Sequence, residues 1–383
     1  MRISIIHTYY QHPGGEDTVF HQEIDALREA GHTVETLTFQ NEKKWKGILQ
    51  YLLYPWNFFA VRKVKKHLKA FQPDVVHIHN THYASGPAII RAVQGQRIPV
   101  IMTLHNFRLV CPSATLFYRD RLFTDSLQQV FPWSAIRNNV FENSWLKTLI
   151  VASTYHIHHL LGTWKAIDCY TPLAEFSKQL FLSSKRGLTE DQFQVKPNFV
   201  EVSPSSATRK QHYLYVGRLS SEKGITQLIE AFKNTDKHLF VVGEGPLETT
   251  LRAKTADQPN IHWLGAKPKN EVWQELSTCQ ALIIPSVCYE GGVPLTIIEA
   301  ISCRTPVIAS NIGAIRDIII PEQTGWLFDP YKTDSIMHSI NTFENSDKKH
   351  EIVECALELY QQQFTKHRVI NILNSTYQNL LKK

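Results

Sequence analysis

Short apolar runs alternate with longer stretches of helical periodicity along the whole chain. In the first half, "RISIIH", "TVETLTF", "DVVHIH", "PVIMTLH" and "IDCYTPL" read as strands. Between the first two lies "DTVFHQEIDALREAGH", apolar at helical spacing and closed by Gly31, which predicts a helix with a glycine stop. The second half repeats the scheme with "HYLYVGRL", "KHLFVVGEG", "IHWLG", "QALIIPS" and "TPVIASN". Apolar strands that alternate with helices predict parallel sheets covered by helices. The ending "YQQQFTKHRVINILNSTYQNLLKK" predicts one amphipathic helix.

The pattern breaks at "VKPNFVEVSPSSATRKQ", residues 195–211, where prolines, serines and charges interrupt it. A chain of 383 residues is also too long for one ordinary domain. These observations predict an α/β protein of two Rossmann-like domains facing across a cleft, residues 1–196 and 197–362, followed by a terminal helix over 363–383.

Composition changes this picture little: 43% hydrophobic and 20% charged residues describe an ordinary globular protein. Six scattered cysteines show no paired metal spacing and read as reduced thiols of a cytoplasmic protein. No apolar run reaches the roughly 18 residues of a spanning helix, and the N-terminal run is too short for a secretory leader. Charge is more informative. The net +6 gathers in residues 42–69, where Lys43, Lys44, Lys46, Arg62, Lys63, Lys65, Lys66 and Lys69 interleave with Trp45, Tyr51, Tyr54, Trp56, Phe58 and Phe59. Such a segment suits an anionic membrane surface, which would make the protein peripheral on the inner face of the cell membrane. A helix with a solvated basic face and an aromatic core face is the equal alternative. Nucleic acid is disfavoured, because no recognition motif accompanies the charge.

In open parallel sheets, ligands bind beyond the carboxyl ends of the strands. Read that way, His7, His79 and His105 close three strands of the first half, with Asn106 directly after the last. "YYQHPGGED" sets Gly14 and Gly15 before a helix, where backbone amides can approach a phosphate closely. It is not the dinucleotide fingerprint, so a nicotinamide enzyme is disfavoured. In the second half "YVGRLSSEKG" places Arg218 and Lys223 after a strand, a bidentate donor and a point charge suited to a diphosphate.

"PSVCYEGGVPLTIIEA", residues 285–300, follows another strand. Pro294 suits the first turn of a helix, whose N-terminal amides near Leu295 and Thr296 would face a ligand. Glu299 lies inside that apolar helix, where a carboxylate is costly unless hydrogen-bonded, and sugar hydroxyls are apt donors. Glu290, beside Gly291 and Gly292, stands in the loop just before it. The plainer alternative is a capping acid and a partnered core acid. No Asp-x-Asp pair is present to hold a metal–diphosphate, and "HIHH" at 156–159 reads as structural, so no metal site is expected.

These motifs together resemble the retaining, GT-B-fold glycosyltransferases of the family 4 (group 1) type, which build bacterial polysaccharides and glycolipids. "HPGGED", "PDVVHIHNTH", "TLHNFRLVCPSATLF", "VKPNFV", "VGRLSSEKGI", "PVIASNIGAIRDII" and "TGWLFDP" carry the resemblance over essentially the whole length. Glu290 and Glu299 enclose one residue more than the family's glutamate pair usually does, which Gly291 and Gly292 could absorb as a bulge. The alternative puts Gly291 in the first glutamate's place.

The resemblance implies transfer of a sugar from a UDP- or GDP-linked donor to a glycan or polyprenyl-diphosphate-linked acceptor, without metal or other cofactor. It gives Arg218 and Lys223 the diphosphate, Glu299 the ribose and Glu290 and His105 the transferred sugar. The amides of Gly14, Gly15, Gly291, Gly292, Leu295 and Thr296 support the donor, and His7, His79 and Asn106 are candidates on the acceptor side. It also implies a terminal helix that crosses back to the first domain. Other GT-B enzymes, an epimerase or a phosphorylase, and a non-catalytic partner with a degraded donor site stay open.

Overall fold

The structure is a computed structural model that describes residues 1–11, 14–201 and 208–382. His12 and Pro13 of the glycine loop, and residues 202–207 of the interrupted stretch, lie outside the described residues. The chain forms two compact units. Unit 1 takes Met1–Leu116, Phe123–Pro197 and His367–Lys383, and unit 2 takes Phe117–Leu122 and Asn198–Lys366.

Unit 1 is built on β1 (Arg2–Tyr9), β2 (Thr33–Gln40), β3 (Val75–Ile78) and β4 (Val100–Leu104). A small hairpin follows, β5 (Phe117–Tyr118) and β6 (Arg121–Leu122), and then β7 (Cys169–Pro172) completes the sheet. The order is β2-β1-β3-β4-β7, with every pair parallel. Central strands of such a sheet are buried on both faces, which is why Val75–Ile78 and Val100–Leu104 are buried throughout. The hairpin belongs with unit 2, where Leu122 packs against the core. Two-residue strands leave no periodicity, so the sequence pattern does not reveal it.

Unit 2 contains β8 (His212–Val216), β9 (His238–Val242), β10 (Ile261–Gly265), β11 (Ala281–Ile284), β12 (Val307–Ser310) and β13 (Trp326–Phe328). They form a parallel sheet in the order β10-β9-β8-β11-β12-β13. Its two faces feed separate cores by strict alternation. Leu282 and Ile284 enter one core, while Ala281 and Ile283 enter the other. The same parity sends Leu214 to the first and Tyr213 and Tyr215 to the second.

Two expectations need correction. β1 runs two residues beyond His7, because Thr8 and Tyr9 continue the ladder opposite Phe39 and Gln40. The single terminal helix is two, Lys349–Gln363 and Lys366–Leu381. The break follows from divided burial. Phe364 sits in a unit 2 core, whereas Val369, Leu373 and Tyr377 are buried in unit 1.

The basic, aromatic segment forms the helices Lys44–Leu53 and Phe58–Phe71. The second follows the ordinary amphipathic rule, burying Ala60, Val64, Leu68 and Phe71. The first buries nothing, and Trp45, Ile48, Leu49, Leu52, Phe58 and Phe59 are exposed. An aromatic core face is thus absent from this first helix. Among the described residues no helix is long and apolar enough to cross a membrane.

Candidate active site

In unit 2 the loops after β8 and β11 are laced together. Val287 N–H donates to the Glu222 carbonyl at 3.0 Å. Gly224, in the left-handed region at φ +69°, has Pro285 so close that a Cβ would lie 1.8 Å from its carbonyl oxygen. This approach places Lys223 against the opposite loop, where its Nζ donates to Glu290 Oε1 at 2.6 Å. Ser286 Oγ donates to the same oxygen at 2.9 Å. Burial by itself would lower the Lys223 pKa, but the Glu290 carboxylate outweighs it and raises the net value. Arg218 is exposed, and among the described residues no ion pair or hydrogen bond engages its guanidinium. A fixed cation and a free one therefore stand at the carboxyl end of β8.

The helix Leu295–Ser302 starts behind Glu290, with Pro294 as its N-cap rather than inside its first turn. Glu299 is buried on that helix, with Lys269 Nζ 4.0 Å from its Oε1. Burial raises its pKa, and Trp273 and Lys269 offset this only in part. Neither Gly291 nor Gly292 has a positive φ. Glu290, not a glycine, faces the Lys223 ammonium.

In unit 1, His79 and His105 meet at the ends of β3 and β4, with His79 Nδ1 3.0 Å from His105 Nε2. His7 is fully buried inside β1, its Nε2 on Asp17 Oδ1 at 2.8 Å and its ring stacked on Phe20. Burial pushes the His7 pKa down to about 4, against the pull of Asp17. His7 is therefore a core residue and not a strand-end ligand group. Gly14 is the N-cap of the helix Gly15–Glu29, and its N–H donates to Asp17 Oδ2 at 3.0 Å, so Gly15 opens the helix. Asn106 holds the next turn, its Oδ1 accepting from Arg108 N–H at 3.0 Å.

Two groups of residues here escape a sequence reading. Glu16 is half-buried at the start of the Gly15–Glu29 helix with Oε1 unpartnered. Burial first, then Asp17, pushes its carboxyl up to about 8 from an ordinary 4.5, against Arg108, Asn80 and Asn106. Arg108 stands over the Phe141 ring at 5.2 Å with its buried Nε unpartnered. Because the folded pKa of Glu16 is raised, its stabilising contribution is complete below pH ~4.5 and is lost as pH rises through about 8. Glu16→Gln is thus expected to melt with the wild type near pH 5 and above it at pH 8.5, checked by thermal melts across that range.

The second group surrounds Glu23. Its Oε2 pairs with Lys196, and its Oε1 lies 3.1 Å from His79 Nε2 and 3.2 Å from His77 Nδ1. His77 also bonds the Tyr377 hydroxyl at 2.8 Å and Thr103 Oγ1 at 2.7 Å. The available signal was Glu23 itself, a carboxylate on the apolar stripe formed by Phe20, Ile24 and Leu27. Glu23, His77 and His79 are the one set among the described residues close enough to share a metal ion. Lys196 already neutralises that carboxylate, and protein partners engage both His77 nitrogens. These contacts are those of a buried ion-pair network and not of an open metal site.

The family described as "Glycosyl transferases group 1" matches residues 200–356, and "Glycosyltransferase Family 4" matches residues 13–161. TuaC of Bacillus subtilis, named for teichuronic acid biosynthesis, is 31% identical over 174 residues, 44% of this chain and 42% of its own length. The chain likewise spans less than half the length of the other curated relatives it first matches. N-acetyl-alpha-D-glucosaminyl L-malate synthase of Bacillus anthracis aligns with 100% of the chain and 98% of its own length at 21% identity. Among solved structures, HepE of Anabaena in complex with UDP and glucose gives a TM-score of 0.68 at 16% identity, covering 98% of this chain and 99% of its own. This last likeness speaks for the fold alone. The two family matches fall on successive parts of the chain and together take in most of it, and the chain belongs to the group 1 (family 4) glycosyltransferases of GT-B fold.

Proposed function

We propose that the protein transfers a sugar from a UDP- or GDP-linked donor to a glycan or lipid-linked acceptor, with retention at the anomeric carbon and without a metal ion. The observation that carries this reading is the Lys223–Glu290 pair, with Arg218 exposed on the same loop after β8 and unpaired among the described residues. Two cations in place of a metal can stabilise the charge that grows on a departing diphosphate. Glu290, oriented by Lys223 and Ser286, keeps lone pairs for the hydroxyls of the transferred sugar. Glu299, buried and only partly partnered, is the ribose-binding acid on this reading. Amides of Gly291, Gly292, Leu295 and Thr296 supply dipolar support, as does that of Gly15, whereas the Gly14 amide is already engaged by Asp17. His105 addresses the transferred sugar, and Asn106, Glu16 and Arg108 are the acceptor groups of unit 1. With same-face attack assisted by the leaving group, no enzyme nucleophile is needed.

The test is binding and turnover with chelator present. A UDP- or GDP-sugar should bind by calorimetry, and product should form only when an acceptor is added. Arg218→Ala combined with Lys223→Ala should lower turnover by at least about 100-fold, the scale of losing oriented charge at a reacting centre. Undiminished turnover in that double variant would sink the phosphate assignment. Product without acceptor would instead favour an epimerase or a phosphorylase.

A lipid-linked acceptor is favoured by a separate observation, the exposed Trp45, Ile48, Leu52, Phe58 and Phe59 among exposed Lys43, Lys44, Lys46, Arg62, Lys65 and Lys66. Apolar side chains that bury nothing, beside cations, suit the headgroup region of an anionic leaflet. This reading puts the enzyme at the inner face of the cell membrane. Phosphatidylglycerol liposomes should sediment the protein at low salt and release it at high salt. Absence of co-sedimentation at low salt removes this reading.

A further inference from the structure

Glu23 controls more than the fold of its helix. It is fully buried, and burial alone would raise its carboxyl pKa. Lys196, followed by His79 and His77, outweighs this and holds it well below the usual carboxylate range. An ionised carboxylate only accepts hydrogen bonds, so the His79 Nε2 that faces Glu23 Oε1 at 3.1 Å carries the hydrogen. The negative charge of Glu23 is already matched by Lys196. A second cation in the same buried space would be unmatched, which leaves His79 as the neutral Nε2–H ring with a bare Nδ1.

That bare nitrogen lies 3.0 Å from His105 Nε2, which must then be the donor. Burial, with the Lys196 ammonium adding to it, holds the His105 pKa well below 6.5, so His105 is neutral near pH 7. One hydrogen is assigned to Nε2, and Nδ1 keeps its lone pair. His105 is half-buried, and among the described residues nothing bonds its Nδ1.

We infer that Glu23, acting through His79, fixes His105 as its Nε2–H tautomer, so that its Nδ1 offers an acceptor to a substrate hydroxyl. Glu23 and His79 are then positioning residues, and His105 selects a hydrogen-bond donor over a carboxylate or phosphate oxygen. The word sugar for that substrate rests on the proposed function. The tautomer does not. A relay of this kind uses the other ring nitrogen of each histidine to settle which lone pair faces outward.

The experiment is two-bond 1H–15N correlation of ring protons in the full-length protein labelled with 15N-histidine, at pH 7 and without substrate. The His105 signals are assigned by their loss in His105→Gln. The expected result is an Nδ1 shift of an unprotonated nitrogen and an Nε2 shift of a protonated one. An Nδ1–H tautomer, or a doubly protonated ring, overturns the inference. His79→Phe, checked for folding by circular dichroism, should replace the single tautomer with averaged shifts at both nitrogens. A folded variant that keeps the pure Nε2–H tautomer overturns the relay. Should His79→Phe fail to fold, the wild-type spectrum still decides the tautomer. Failure of sugar transfer leaves both readouts intact.

Discussion

Lys196→Met is expected to destabilise unit 1 by about 3–5 kcal/mol, the range for removing one partner of a buried ion pair. Lys196 is 1% exposed and its partner Glu23 is fully buried, so no solvent can screen the carboxylate left behind. Either Glu23 itself must then take up a proton, or His77 must do so against the burial that holds its pKa well below 6.5. Denaturant unfolding of the variant measures the loss. Glu23→Gln combined with Lys196→Met should be less destabilised than the sum of the two single changes, because both charges leave together. Additive single effects would show that the pair is not coupled, and the buried network would lose its stated role.

Gly224→Ala is expected to remove nucleotide-sugar binding and to lower the melting temperature of unit 2. Left-handed backbone costs an L-residue about 1–2 kcal/mol, and here a further cost comes from the added Cβ at 1.8 Å from the Pro285 carbonyl oxygen. That oxygen is backbone and cannot rotate away, so the loops after β8 and β11 must part. Lys223 and Glu290 stand on those two loops, and their 2.6 Å contact is lost as they separate. Gly265→Ala is the control, with φ +70° but nothing within 4 Å of the new Cβ. It should cost only the left-handed strain and leave binding unchanged. Equal effects from the two substitutions would mean that strain, and not the loop contact, dominates at Gly224.

Legibility in the sequence followed how local each feature is. The strands were readable to within about three residues, "HYLYVGRL" and "KHLFVVGEG" each overrunning the observed strand, because strands buried on both faces must be apolar runs of limited length. β1 was read short because Thr8 and Tyr9 look like loop residues, yet Thr8 is buried and its hydroxyl bonds Ser85 at 2.7 Å. β13 and the small hairpin were too short to carry a period. The terminal helix read as continuous because its periodicity is continuous, and only the division of its burial between two cores breaks it at Phe364.

The candidate site divides in the same way. Arg218, Lys223, Glu290 and Glu299 stood out because polar groups after strands or inside apolar helices are locally anomalous. His7 stood out for the same reason and is nonetheless a core residue, since Asp17 and Phe20 enclose it. Nothing in the order of residues marks Glu16 or Arg108, and their unpartnered buried atoms exist only once unit 1 has folded around them.

From the order of residues alone came the alternation of strands and helices, the two parallel sheets and the kinds of charge at their carboxyl ends, because periodicity and strand ends are properties of neighbouring residues. Tertiary structure alone decided which charges meet. Glu23 finds Lys196 across 173 positions, and Lys223 finds Glu290 across 67. At Glu23 and at Lys223 the partner's charge then outweighs burial and keeps the group ionised, and both influences depend on what packs around a group and not on its neighbours along the chain.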